Sequence, residues 1–376
     1  MSRKILIIFI LNFFLLFLVP AKSYAIENPL SQPNNKIGIH ILFTSEVFEA
    51  NKLINSTGGD WGYVTIPIQS SDRDLKKWQQ FMYACKKYHI IPIVRLATDA
   101  DSTNTNTWRK PQLNDIIDFA NFLDKLDWPV KNRYITVFNE VNRGNEWGGA
   151  ANASEYANIL SFAVTVFKSK NPDYFIISAG LDNAAPNQGT NYISELDFMR
   201  QMHAGVPAIF NQVDGIASHS YPNPGFSQPP DLNNPKGVAS FKYENDLVKE
   251  LTGKNLPVFI TETGWSADKV TEEQRIDYYT KALADVWSDP NIVAITPFLL
   301  EARAGSFQQF SFLTSTGSAT KQYAFLAALP KAKGAPSVSI KVLSAETHKS
   351  SPKTDEQDSG FSLTKMLQNI LRLIGV

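Results

Sequence analysis

One cysteine, Cys85, in 376 residues leaves no partner for an internal disulfide and no thiolate set for a metal cluster. It lies in a stretch of helical period and reads as a buried apolar thiol. Only five histidines occur, His40, His89, His203, His219 and His348, and none is spaced as HxH or HExxH. That disfavours a metal hydrolase, and neither a metal nor another cofactor is expected. Charge of one sign is also missing. The 36 basic residues face 36 acidic ones, so a polyanion such as nucleic acid is not an expected partner. The apolar run at 5–19 is broken by Asn12 and falls short of the about 20 residues of a membrane span.

That run reads instead as an export signal. Arg3 and Lys4 precede it, Pro20 ends it, and Ser23 and Ala25 supply small residues for cleavage after position 25. Its removal takes away Arg3, Lys4 and Lys22 and no acid, which leaves the remainder mildly acidic. Secretion or residence in the cell envelope is the expectation. Hydrophobic residues at 43% and charged residues at 19% fit a soluble domain with a sizeable core. Aromatics at 12% suit a sugar binder, because pyranose rings stack on aromatic faces, and suit core packing equally well.

From position 36 the chain alternates short apolar runs with longer segments of helical period. The runs cover 37–43, 63–68, 90–96, 134–138, 175–179, 213–219, 257–261 and 292–299. They are rich in Ile, Val, Phe and Tyr, as buried parallel strands are. The helical segments cover 74–88, 113–126, 154–170, 196–204, 243–252 and 271–288. In the first, Leu75, Trp78, Phe81, Met82 and Cys85 form one stripe. The last opens on Thr271-Glu272-Glu273-Gln274, a capping-box pattern.

Strand alternating with helix implies a parallel sheet with right-handed crossovers. Eight such units predict an α/β fold, a (β/α)₈ barrel over 36–330. An open doubly wound sheet would carry a glycine-rich loop after its first strand. Here Thr44-Ser45-Glu46 follows instead. Beyond the barrel, 331–360 reads as a flexible linker rich in Lys, Ser, Pro and Thr. In 361–376, Phe361, Leu363, Met366, Leu367, Ile370, Leu371 and Ile374 recur at helical spacing. That amphipathic helix packs on the barrel or touches a membrane surface or partner. The protein is expected to be a monomer.

Catalytic groups of such barrels sit at the C-terminal ends of the strands. The fourth run ends Val137-Phe138-Asn139-Glu140 and the seventh ends Phe259-Ile260-Thr261-Glu262. Two carboxyl groups facing one mouth are what glycosidic cleavage needs. No lysine ends any of the eight runs, which argues against Schiff-base chemistry.

Asn139-Glu140 after the fourth strand and Glu262 after the seventh resemble the signature of clan A glycoside hydrolases, which include families 5, 39 and 53. The similarity covers the whole barrel. It implies a retaining glycosidase acting on an oligo- or polysaccharide, with Glu140 the acid/base, Glu262 the nucleophile and Asn139 a donor to the sugar 2-hydroxyl. Glu140 should then sit where its pKa is raised, and Glu262 among hydrogen-bond donors.

His219 and Tyr221 end the sixth run at shared parity and are expected to contact the carboxylates. Arg95, on the third strand, and His40, on the first, are candidates for the same site or for structural pairs. The clan more often carries that arginine on strand two, where this chain has Thr65 and Ile66. Trp265 and Trp147 lie in loops at the same face and are expected to stack on sugars, with Trp108 a weaker candidate. Asn142, Arg143 and Glu146 could add polar contacts. The loop at 222–237 is a candidate cleft wall. The clan's tryptophan after strand eight is missing from Pro297-Phe298-Leu299-Leu300-Glu301, with Glu301 and Gln308 as substitutes. These departures leave a non-catalytic carbohydrate-binding barrel as the alternative.

Overall fold

The computed structural model describes residues 26–339 except 105, 303, 304 and 306. The expected export signal, the linker beyond 339 and the helix at 361–376 lie outside the described residues. All eight expected strands form: β1 (Gly38–His40), β2 (Gly62–Gln69), β3 (Ile90–Ala97), β4 (Arg133–Thr136), β5 (Tyr174–Ile177), β6 (Ile216–His219), β7 (Val258–Glu262) and β8 (Ile292–Ile295). Every pairing between them is parallel, in the orders β1-β2-β3-β4-β5 and β6-β7-β8. Single parallel bridges, Ile177 with Gly215 and Ile37 with Ile295, join the two groups into the ring of a (β/α)₈ barrel.

Alternation along the strands sorts their side chains into two layers. Val64, Ile66, Val94, Ile135, Ile176, Val258 and Ile260 pack outward against the helices, where Trp78, Phe81, Phe119 and Phe167 are buried. Tyr63, Ile93, Tyr134, Phe175, Phe259 and Val293 fill the barrel interior. Three of those rings interlock: Tyr134 to Phe175 at 5.0 Å, Tyr134 to Phe259 at 5.5 Å and Phe175 to Phe259 at 5.6 Å between centroids. This aromatic plug ties β4, β5 and β7 together inside the barrel. Much of the aromatic content is therefore core.

The helices are set by their caps. Asp74 accepts from Lys77 N at the start of the helix Leu75–Lys87, whose last turn carries Lys86 and Lys87 against the dipole. Thr271 and Gln274 form the expected capping box of Glu272–Lys281. Ser240–Thr252 stops at Gly253, which takes φ 75°.

The boundary expected at Pro330 moves. Residues 331–339 are not free linker but a strap tied to the barrel. Gly334 N donates to Asp60 O at 2.9 Å, Ala335 N to Pro33 O at 2.8 Å, and Lys131 N to Ser337 O at 2.8 Å. Lys331 Nζ donates to Leu326 O at 2.7 Å and to Ser56 Oγ at 2.9 Å. Composition alone could not show this, because Lys, Ser and Pro suit an edge strap as well as a linker. A chain ending at Ser339 keeps these bonds, and one ending at Pro330 loses them. At about 1 kcal/mol net per bond, the shorter chain should melt several degrees lower by calorimetry. Equal melting temperatures would mean the strap contributes nothing.

Candidate active site

The C-terminal ends of the strands open into a cleft of about 1110 Å³, lined among others by Arg95, Asn139, Glu140, Tyr221 and Glu262. Glu262 is the last residue of β7. Glu140 lies four positions past β4, on a turn where Phe138 (φ 69°) and Glu140 (φ 38°) adopt the left-handed conformation. Non-glycine residues enter that region at a cost of about 1–3 kcal/mol each. Glu140 N donates to Gly180 O at 2.9 Å and Arg143 N to Glu140 O at 2.9 Å, which holds the turn.

The two carboxylates share a small set of donors. Arg95 Nη1 donates to Glu262 Oε1 at 3.1 Å and also to Asn139 Oδ1. Tyr221 donates its hydroxyl to Glu262 Oε2 at 3.0 Å. His219 Nδ1 lies 3.1 Å from Glu140 Oε1 and 3.9 Å from Glu262 Oε2, bridging the pair. Arg143 Nη1 donates to the other Glu140 oxygen at 3.0 Å and lies 3.6 Å from Asp182. One ligand atom each from Glu140, His219 and Glu262 lie within 4.8 Å of one another. A metal ion could span that gap, but the two guanidiniums fixed on the carboxylates oppose an added cation.

The electrostatics correct one expectation. Burial pushes the Glu140 carboxyl up, but the His219 hydrogen bond and the charges of His219, Arg143 and Arg95 outweigh it and leave Glu140 below the usual value. Burial lowers His219, yet Glu262 and Glu140 raise it above the ordinary imidazole value. The lowered carboxyl and the raised imidazole face each other across the 3.1 Å contact, contrary to the raised carboxyl expected for Glu140. Burial, then the Glu262 and Glu140 charges, push the Tyr221 phenol well up, so it remains a donor. Burial, aided by Arg95 and His219, pushes His40 well down, so it is neutral.

Asn139, His219, Tyr221 and Arg95 all reach the carboxylates or the groups bonded to them. Arg95 thereby reaches Glu262 from strand three. His40 is fully buried, with Nε2 3.6 Å from Glu262 Oε1 and its ring edge-on to Phe298 at 5.0 Å. It backs the carboxylate and does not line the cleft, contrary to a substrate-binding role.

Both leading tryptophan candidates are corrected. Trp147 is buried against Phe138 and Tyr156, and its Nε1 donates to Glu155 at 3.2 Å. Trp265 is buried against Tyr279 and Trp287, and its Nε1 donates to Gln228 O at 2.8 Å. Core packing took both rings, and the weaker candidate, Trp108, lines the cleft. Asn142 is also buried, donating to Asp182 O and Ile193 O at 3.0 Å each. Glu301 and Gln308, the substitutes offered for the strand-eight tryptophan, do not line the cleft. Phe298 lines the cleft past β8, with Phe307 and Phe310. It is apolar and was read as the tail of a strand. The loop at 222–237 contributes Phe226 to the wall, as expected. Gly180 was also missed: a Cβ there would collide with the His219 ring.

Beneath His219 lies a buried polar layer. Ser218 Oγ donates to Glu244 Oε1 at 2.6 Å and lies 2.8 Å from Ser220 Oγ. Burial pushes the Glu244 carboxyl up to about 7, and burial with the Glu244 charge raises its neighbour Glu195 well above the usual carboxyl value. Carboxyls raised in the folded state stabilise it fully below the unfolded value of about 4.3, and that stability is lost as pH rises through about 7. Denaturant unfolding should therefore give lower stability at pH 8 than at pH 5, with Glu244→Gln flattening the difference. An unchanged slope in that variant would place the linkage elsewhere.

No protein-family model matches the chain, and no curated protein matches it in sequence. Solved structures match its fold. One is a family 39 glycoside hydrolase from the gut symbiont Bacteroides cellulosilyticus WH2 (TM-score 0.53, 18% identity, 81% of this chain). The alignment spans 65% of that enzyme's length, under two thirds. Others are a GH39 β-xylosidase from Caulobacter crescentus (0.55, 15%, 79% of this chain and 71% of that one) and a GH5_18 protein from Bifidobacterium longum subsp. infantis (0.55, 13%, 78% of each). The chain shares the barrel of these proteins.

Proposed function

We propose that this protein is a retaining β-glycoside hydrolase, exported to act on an extracellular or cell-envelope polysaccharide. The observation that carries the reading is the carboxylate pair: one oxygen of Glu140 and one of Glu262 stand within 4.8 Å in a single cleft. Retaining enzymes hold their carboxyls about 5–5.5 Å apart, and inverting ones leave about 6.5–9.5 Å for a water.

That spacing supports double displacement. A Glu262 oxygen attacks the anomeric carbon as the glycosidic C–O bond breaks. Glu140, protonated from His219 across their 3.1 Å contact, passes that proton to the leaving oxygen and is left as carboxylate. The product is a glycosyl ester on Glu262. Water then attacks the same carbon, Glu140 takes its proton, and Glu262 leaves as carboxylate. Arg95 and Tyr221 compensate the changing charge on Glu262. The chemistry requires no cofactor. The fold neighbours of families 39 and 5 support a sugar substrate, and the β-xylosidase among them supports a β-linkage.

A panel of β-linked glucans, mannans and xylans tests the reading. Glu140→Gln should lower the rate by about 10²–10⁴ on substrates with poor leaving groups. Glu262→Ala should be inactive and regain turnover with azide, giving the glycosyl azide of inverted configuration. Azide rescue with inversion in Glu140→Ala would reverse the two roles.

A further inference from the structure

Glu146 and Trp108 take no part in that chemistry, yet both line the cleft. Glu146 belongs to the turn Gly144–Glu146, a few residues past Glu140. Its carboxyl is largely enclosed: burial first, and the Glu140 charge second, push it up to about 7. The neighbouring cations are engaged elsewhere, Arg95 with Glu262 and Arg143 with Glu140. Its contact with Asn139 Nδ2 is long, at 3.5 Å. A carboxyl so placed in a cleft wall has acceptor capacity left for a bound molecule.

Trp108 is anchored to the same turn. Its N–H donates to Asn145 O at 2.7 Å, and its carbonyl accepts from Gly148 N at 3.0 Å. The loop after β3 thus lies along the loop after β4, and the half-buried Trp108 lines the same cleft as Glu146. A sugar ring offers a C–H face to such an indole and hydroxyl donors to such a carboxyl. The cleft, at about 1110 Å³, exceeds a single small-ligand pocket and has room for more than one ring.

We propose that Trp108 and Glu146, with Asn145 between them, form a second sugar subsite that holds the unit next to the one attacked. This rests on the glycosidase reading. It means that the substrate is a chain of at least two sugars and that recognition depends on the neighbour as well as on the reacting unit.

The test compares two substrates on one preparation, so that a folding defect cancels. One is the trisaccharide of the sugar selected from β-linked glucose, mannose and xylose. The other is the β-glycosyl fluoride of that sugar, whose leaving group fills no second subsite. In Trp108→Ala and in Glu146→Gln, the ratio of kcat/KM for trisaccharide over fluoride should fall fivefold or more. Trp108→Phe, which keeps a smaller ring, should recover part of that loss. A fall of less than fivefold in either Trp108→Ala or Glu146→Gln would overturn the subsite while leaving the glycosidase reading standing. Cleavage of neither substrate by the unmodified protein would overturn both.

Discussion

Two carboxylates within 4.8 Å of each other in a barrel mouth repel, and the rest of the site is arranged around that repulsion. At an effective dielectric of about 20, such a pair costs several kcal/mol if both are charged. Three cationic or donor groups offset it. Arg95 meets Glu262, Arg143 meets Glu140, and His219 stands between them. The imidazole faces Glu140 across 3.1 Å, within hydrogen-bond reach of its carboxyl. Tyr221 completes the Glu262 environment as a donor that stays protonated.

The scaffold holds these groups at both levels. Below the mouth, interlocked Tyr134, Phe175 and Phe259 fix β4, β5 and β7 relative to one another. At the mouth, the left-handed turn through Phe138 and Glu140 aims one carboxylate back across the opening. Gly180 leaves the space His219 occupies, and the Ser218–Glu244 layer supports that strand end from below.

The barrel was legible because eight β-rich runs separated by amphipathic segments admit few topologies. The carboxylates were legible because strand ends are recognisable without coordinates, and Asn139 and Tyr221 inherit their positions from them. Three things were not. The ring environments of Trp147 and Trp265 depend on tertiary packing, so loop tryptophans looked available when both serve the core. The lowered Glu140 carboxyl depends on an arginine three residues on and a histidine from another strand, and no local pattern reports such a sum. Phe298 hid as an apolar strand residue, although it lines the cleft with Phe307 and Phe310.

Double displacement requires a covalent glycosyl ester on Glu262, and trapping it is the direct measurement. A 2-deoxy-2-fluoro β-glycoside with a good leaving group slows the second displacement more than it slows overall attack, so the ester accumulates. Peptide mass spectrometry of the inactivated protein should then place one fluorosugar on the peptide containing Glu262. A label on Glu140 or Glu146 instead, or turnover with inversion and no label, would contradict the account.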